Sequence, residues 1–374
     1  MRLSNEISTE IEALAPESYD LLLTLAQIPA PSHHEEKRAE FCLNWLKGKG
    51  AEGAYIDSAK NVIYSIGDDG QCDLMVFMAH SDVVFPDTQP LSLKVEDGRI
   101  YCPGVGDDTA NAVSLLTAAG YIAQHELKPK DCGVLLIINS CEEGLGNLKG
   151  SRKIMADFGH RVKEFITFDG NANAVVTKAV GSRRYRVTVK TEGGHSYGCF
   201  GKPNAIAQLS RLIARLYEME VPAIGRTTYN VGTVSGGTSV NTIAQNAEML
   251  FEFRSDEREG LAVIQAEFDS IVEGVRRNGV EIEVEVVGDR PCGVEVDNSA
   301  LARRAAEAVK AYYGIEPGFS VGSTDCNVPL SMGIAAICPG CILGSGAHTR
   351  EEFVEIDSLL PGLKVAFRLI LHHF

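Results

Sequence analysis

The sequence predicts an α/β fold with an α+β unit inserted into it, and three observations carry that expectation. First, Val134-Leu135-Leu136-Ile137-Ile138 is a run of five branched apolar residues, the pattern of a strand buried on both faces of a parallel sheet. It leads into Glu142-Glu143 and the turn Gly144-Leu145-Gly146. Second, three more apolar runs end the same way: Asp73–Ala79 on His80-Ser81-Asp82, Phe165–Phe168 on Asp169-Gly170, and Ala335–Cys338 on a glycine-rich loop reaching His348. Third, between residues 182 and 289 the pattern changes to alternating polar and apolar positions, as in a sheet with one wet face. Ligands of open α/β sheets bind beyond the carboxyl ends of the strands. One acidic loop there is an ordinary solvated turn. Four strands that each deliver His, Asp or Glu at the same end are a site.

Length and charge narrow the class. At 374 residues the chain is long for one core, so two domains are expected. A net charge of −15 argues against nucleic acid and anionic membrane partners and suits a protein that concentrates cations. No stretch approaches a membrane span, and Met1–Glu6 is polar, without an apolar signal core. Ten cysteines scattered without framework spacing suit a reducing cytoplasm. The single Cys-x-x-Cys, Cys338-Pro339-Gly340-Cys341, does not open a helix as a thioredoxin-type motif does, and reads as structural.

Along the chain, helical spacing of Leu21, Leu22, Leu25 and Ile28 predicts a helix over 6–28, stopped by Pro29 and Pro31. A second helix is expected over 34–48, with His33 and His34 at the surface before it. Short strands near 54–66 precede the His80 strand, and an Ala/Leu-rich helix is expected over 110–124. Asp107 and Asp108 lie at the start of that helix, where carboxylates are common as caps. From Arg183 a strand, a helix over 203–217, strands near 227–235 and 247–254, a helix over 256–277 and a strand over 280–287 give βαββαβ, the order of a ferredoxin-like unit. The α/β style then resumes with a helix over 300–313 and ends with a helix to about 371. This places a discontinuous catalytic domain at 1–181 and 290–374, and an inserted unit at 182–289.

His80, Asp107, Glu142, Glu143, Asp169 and His348 supply two imidazoles and four carboxylates. Two divalent metals about 3.5–4 Å apart need roughly this set, with one carboxylate bridging. Imidazole suits zinc, and the oxygen ligands also tolerate cobalt or manganese. Asp82, two residues after His80, is expected to accept the other ring N–H of that histidine. Consecutive side chains diverge, so one of Glu142 and Glu143 is expected to bind metal while the other faces the bridging water as general base. Gly144–Gly150 has neither dinucleotide nor P-loop spacing, which excludes a nucleotide-binding reading.

The ordered set His80-x-Asp82, Gly106-Asp107-Asp108, Glu142-Glu143-Gly144, Asp169 and His348 resembles the di-zinc exopeptidase family of tripeptide aminopeptidase, glutamate carboxypeptidase, acetylornithine deacetylase and succinyl-diaminopimelate desuccinylase. The resemblance covers nearly the whole chain and is nearest the tripeptide aminopeptidase branch. It implies a zinc-exopeptidase-like domain, its mixed sheet flanked by helices, with the inserted unit serving as lid and homodimer surface. It implies one metal on His80, Asp107 and Asp169, a second on Asp107, Glu143 and His348, and Glu142 as general base. Gly193-Gly194-His195-Ser196 looks like the lid motif whose histidine stabilises the oxyanion, in trans across the dimer. Asn241 resembles a second lid contact, and Arg254 the anchor of a substrate carboxylate. From the residues alone, the alternative role of His195 is to satisfy a turn, and that of Arg254 to pair with Glu252 or Asp256. An aspartate at position 169 looks typical of aminopeptidases and dipeptidases, which implies short peptides with a free N-terminus as substrates. N-acyl-amino-acid deacylase or carboxypeptidase activity is the alternative. Two departures concern the substrate: Thr109 where Lys is common, and the segment Tyr197–Pro203 in place of the shorter glycine-led pattern of the acylases.

Overall fold

A computed structural model describes residues 3–374; Met1 and Arg2, part of the polar start noted above, lie outside the described residues. The chain forms two compact units, one from residues up to Ala179 together with Val294–Phe374, the other Val180–Gly293.

In the first unit the four apolar runs are the strands Leu74–His80, Gly133–Asn139, Val162–Thr167 and Ala335–Pro339. They are neighbours in the middle of an eight-stranded sheet, in the order Gly133, Leu74, Val162, Ala335, and each adjacent pair is parallel. All four carboxyl ends therefore share one edge. Val62–Ile66 on one side and Ala174–Ala179 on the other join antiparallel, which makes the sheet mixed.

The period-two alternation of strand side chains divides these runs between two cores. Phe77, Ala79, Val134, Leu136 and Ile138 pack with the helices Asn5–Ala26, Ala110–Gln124 and Ile356–Ile370. Val76, Met78, Leu135 and Ile137 pack on the other side with Ile154, Met155 and Leu330. Helices thus cover both faces, which is why Gly133–Asn139 is buried throughout. Each such side chain contributes about 1.5–3 kcal/mol by leaving water, so truncation of Ile137 to Ala would cost roughly 2–5 kcal/mol. The helix Ala110–Gln124 lies close to its neighbour because it has Gly120, where a Cβ would come within 2.9 Å of the Trp45 ring.

The second unit has the βαββαβ order. Its four strands stand in the order Thr227–Gly236, Asn246–Ser255, Gly181–Thr191, Val280–Arg290, all antiparallel. The helices Ala205–Leu216 and Arg258–Val275, the latter through Phe268, share a core with Tyr185, Phe251 and Phe253 from one face of the sheet. The Tyr185 and Phe268 rings stack at 4.6 Å and those of Phe251 and Phe268 at 5.2 Å. Asn204 caps the first of these helices, accepting from the N–H groups of Ile206 and Ala207. No helix among the described residues is long and apolar enough to cross a membrane.

Candidate metal centre and its surroundings

The last residue of the strand Leu74–His80 points an imidazole into the edge of the sheet, where His80 is almost fully buried. Its Nε2 lies 3.0 Å from Asp107 Oδ1, and Asp107 Oδ2 lies 3.0 Å from His348 Nε2. One carboxylate therefore faces both histidines. Glu143 Oε1 stands 3.2 Å from the same His348 nitrogen. Two ligand atoms of one tetrahedral zinc, each about 2.0–2.1 Å from the ion, are roughly 3.3 Å apart, close to these separations. His80, Asp107 and Glu143 can offer ligand atoms within 4.8 Å of one another, as can His80, Asp108 and Asp169. The residues fit a divalent cation.

Three buried carboxylates outside the predicted ligand set hold the loops in place. Asp82 accepts the backbone N–H groups of both Glu142 and Glu143 at 2.9 Å and the Ser32 hydroxyl at 2.6 Å. Its carboxylate also lies 3.6 Å from His80 Nδ1, and the Asp82 main-chain carbonyl takes the same nitrogen at 3.0 Å. Asp82 thus meets both the glutamate loop and the Nδ1 side of the imidazole, which leaves Nε2 towards Asp107. Glu35, fully buried, accepts from the Cys141 N–H at 3.2 Å and from its thiol at 3.1 Å. Glu352 accepts from Gly104, Gly106 and Asp107 at 2.7–2.8 Å and so fixes the loop that presents Asp107.

Asp108 does not cap the helix that follows. It is fully buried, and its Oδ2 accepts the His80 backbone N–H at 3.0 Å. Asp169 leaves its strand beside the loop of Pro339-Gly340, which packs so close that a Cβ on Gly340 would meet the Gly170 carbonyl oxygen at 2.2 Å. All ten cysteines are free thiols, those of Cys338-Pro339-Gly340-Cys341 included.

The electrostatics are those of a cluster short of positive charge. Burial would lower the His80 pKa, but hydrogen bonds to Asp107 and Asp82 outweigh it and hold the imidazole well above its ordinary range. Asp107 and Glu143 push His348 up to about 10. Burial works against the charge of Asp107, yet His348 and His80 keep its pKa below the usual range. Burial, with like charges around them, pushes Asp169 and Asp108 well above it. A divalent ion bound here would supply the missing positive charge and displace protons from its ligands.

In the second unit Gly194–His195 pairs antiparallel with Thr242–Ile243, and Ser196 N–H donates to the Asn241 carbonyl at 3.0 Å. This ribbon puts His195 and Asn241 side by side. His195 Nδ1 lies 3.3 and 3.2 Å from the N–H groups of Tyr197 and Gly198, so it accepts and the ring proton sits on Nε2. Arg254 forks onto Glu252, Nε to Oε1 at 3.0 Å and Nη2 to Oε2 at 3.1 Å.

A His–carboxylate set at the carboxyl edge of the sheet's parallel strands, largely buried but for His348, with one aspartate facing both histidines, defines a metallohydrolase whose donors suit a dinuclear centre. The chain belongs to Peptidase family M20/M25/M40, whose pattern matches residues 76–372. It is 25% identical over 327 residues to the succinyl-diaminopimelate desuccinylase of Paraburkholderia xenovorans (strain LB400), across 80% of this chain and 82% of that protein. Among solved structures it resembles the aminopeptidase PepT of Bacillus cereus ATCC 10987, at 21% identity and TM-score 0.70, over 95% of this chain and 98% of the other. It also resembles the dipeptidase Dug1p of Saccharomyces cerevisiae, at 18% identity and TM-score 0.76, over 97% of each chain. These two likenesses bear out the fold.

Proposed function

We propose that the chain hydrolyses short peptides, di- and tripeptides with a free N-terminus, at a centre of two divalent metal ions. The observation that supports this most is the Asp107 carboxylate, which offers one oxygen to each histidine. In this reading His80, Asp107 and Asp169 would hold one ion and Asp107, Glu143 and His348 the other. Zinc suits the imidazoles best, and cobalt or manganese would also be held. When bound, such ions supply charge that polarises a carbonyl and acidifies water.

Glu142, the carboxylate beside the proposed ligand Glu143, would take a proton from the attacking water and return it to the leaving amine. Asp82 aims it through the backbone. The Nε2–H of His195 serves the developing oxyanion, with Asn241 as a neighbouring substrate contact. Arg254 would exchange Glu252 for a substrate carboxylate. The free amine is argued from Asp169 and from the likeness to an aminopeptidase. The relative that is a desuccinylase favours the second reading, N-acyl-amino-acid deacylase or carboxypeptidase. We further propose a homodimer through the second unit, where Thr227–Gly236 is an edge strand exposed along its second half, a feature proteins usually cover. His195 would then serve the partner's site. Ten free thiols fit a reducing cytoplasm.

The test is a panel of free-amine and N-acylated peptides on metal-reconstituted protein. Blocking the amine should lower kcat/KM sharply. Efficient cleavage of acylated amino acids with no action on free peptides would move the protein to the deacylase reading.

A further inference from the structure

Arg38, in the first turn of the helix Glu36–Gly48, is 1% exposed. Its guanidinium makes four hydrogen bonds, and none reaches a carboxylate. Nε donates to the Ile28 carbonyl at 2.7 Å and Nη2 to the Ala26 carbonyl at 3.4 Å. Nη1 donates to the Ser81 carbonyl at 2.9 Å and to Thr109 Oγ1 at 3.1 Å. Ser81 stands between His80 and Asp82, and Thr109 directly follows Asp107-Asp108. A single nitrogen thus joins the two loops that carry the histidine and the bridging aspartate. Thr109 extends the link, donating its hydroxyl to the Gly104 carbonyl at 2.6 Å, at the start of the loop that Glu352 holds.

Removing a charge from water costs several kcal/mol even after relaxation. A fold that buries a guanidinium against neutral acceptors needs compensation from further away, and here Cys42 and Cys102 contribute to it together with carboxylates beside the metal centre. Burial lowers the Arg38 pKa to about 10, which leaves it a cation at neutral pH, and among its charged neighbours are Asp82 and Glu352, two of the carboxylates that position the ligand loops. A planar fork also fixes direction as well as charge, which an ammonium does not.

We propose that Arg38 is a positioning residue for the metal centre. Its guanidinium sets the distance between the His80–Asp82 and Asp107–Thr109 loops, and its charge keeps the acidic cluster assembled before metal arrives. This rests on the metal-site reading above, and the experiment keeps the two apart. The full chain is stripped of metal and titrated with Zn2+ and, separately, with Co2+, as wild type, Arg38→Met and Arg38→Lys. Arg38→Met should bind zinc roughly 10–100-fold more weakly, the range typical of residues that orient ligands. The visible absorption of its cobalt form should change, since the ligands lose their set spacing. Arg38→Lys keeps the charge but not the fork and should fall between Arg38→Met and wild type. A purely structural arginine would lower Tm in both variants and leave zinc affinity and cobalt spectrum at wild-type values, and that result overturns the proposal. Should Arg38→Met fail to fold, Arg38→Lys decides by the same two readings. Wild type that binds no zinc or cobalt would instead sink the metal-site reading itself.

Discussion

Two surfaces of this molecule are crowded with charge, and they are built on opposite rules. On the open face of the sheet in the second unit, signs alternate. Arg184 stands opposite Glu252, and Arg186 opposite Glu285, on neighbouring strands, with ion pairs of 3.2 and 2.6 Å. Arg186 also reaches Glu248 at 3.6 Å, and Arg254 reaches Glu252. At the carboxyl edge of the sheet in the first unit, the carboxyl groups of Asp108, Glu142 and Glu143 are buried together, and the partners of Asp107 and Glu143 are the imidazoles of His80 and His348. Exposed pairs contribute roughly 0–1 kcal/mol each and can be exchanged without consequence. Buried like charges are costly, and persist where a function requires them. The arrangement of charge, more than its amount, separates a wet face from a site.

The comparison breaks most visibly at Glu142. Glu142→Ala should lose roughly 10²–10⁴-fold or more in kcat with metal content nearly intact, whereas Glu143→Ala should lose metal as well. Elemental analysis beside turnover checks both, and reversed metal retention would exchange the two roles.

His195→Ala should lose on the order of 10²–10³ in rate with both metals in place. Mixing it with Glu142→Ala chains under demonstrated exchange should restore roughly a quarter of wild-type activity, from two-fold symmetry and random pairing. No recovery would show that His195 does not act across the dimer.

Glu352→Ala strips the acceptor from three backbone N–H groups, each costing about 1–3 kcal/mol when left unpaired in the interior. Urea unfolding should show a loss of several kcal/mol and zinc titration a weaker centre. A variant within 1 kcal/mol of wild type would mean that the Asp107 loop is held by other contacts.

The metal-free protein should lose stability as pH rises from about 6.5, the ordinary histidine value, towards 10. His348, raised to about 10, contributes stability that is complete below its unfolded pKa and is lost as pH passes through the folded one. Asp169 and Asp108, also raised, act in the same direction, because their charged forms are disfavoured in the fold. Thermal melts across that range check the sign, and a melting point that climbed with pH would contradict it.

The smallest effect belongs to the paired face. Arg254→Ala should change stability by under about 1 kcal/mol and raise KM for a peptide acid more than for the matching amide. Equal KM changes would leave Arg254 as a partner of Glu252 alone.

What was legible in the sequence is what repeats or runs. The four strands were visible because their apolar runs are unbroken, and their ligands because each follows such a run. The inserted unit was visible because its period changes at Arg183. Residues that act on distant backbone were hidden. Glu352 sits in Thr349-Arg350-Glu351-Glu352, which reads as a solvated acidic loop, yet its partners are 245 to 248 residues away. Arg38, beside Lys37 on an amphipathic helix, has the look of a surface charge. Asp108 reads as a helix cap, since nothing local says that the chain turns it inward towards His80. Asp82 was placed beside the site, but the grip of its carboxylate on the glutamate loop depends on a neighbouring strand and has no local signature.

The insertion point has a consequence for how the molecule is made. The second unit is one continuous stretch, Val180–Gly293, that begins after Asp169 and ends before His348. On the ribosome the entire insert is therefore translated while the proposed ligand set still lacks its last histidine. In the proposed assignment His80, Asp107 and Asp169 all precede the insert, so a nascent chain would offer the ligands of one ion early and would complete the set of the other, with His348, only after its insert has been synthesised.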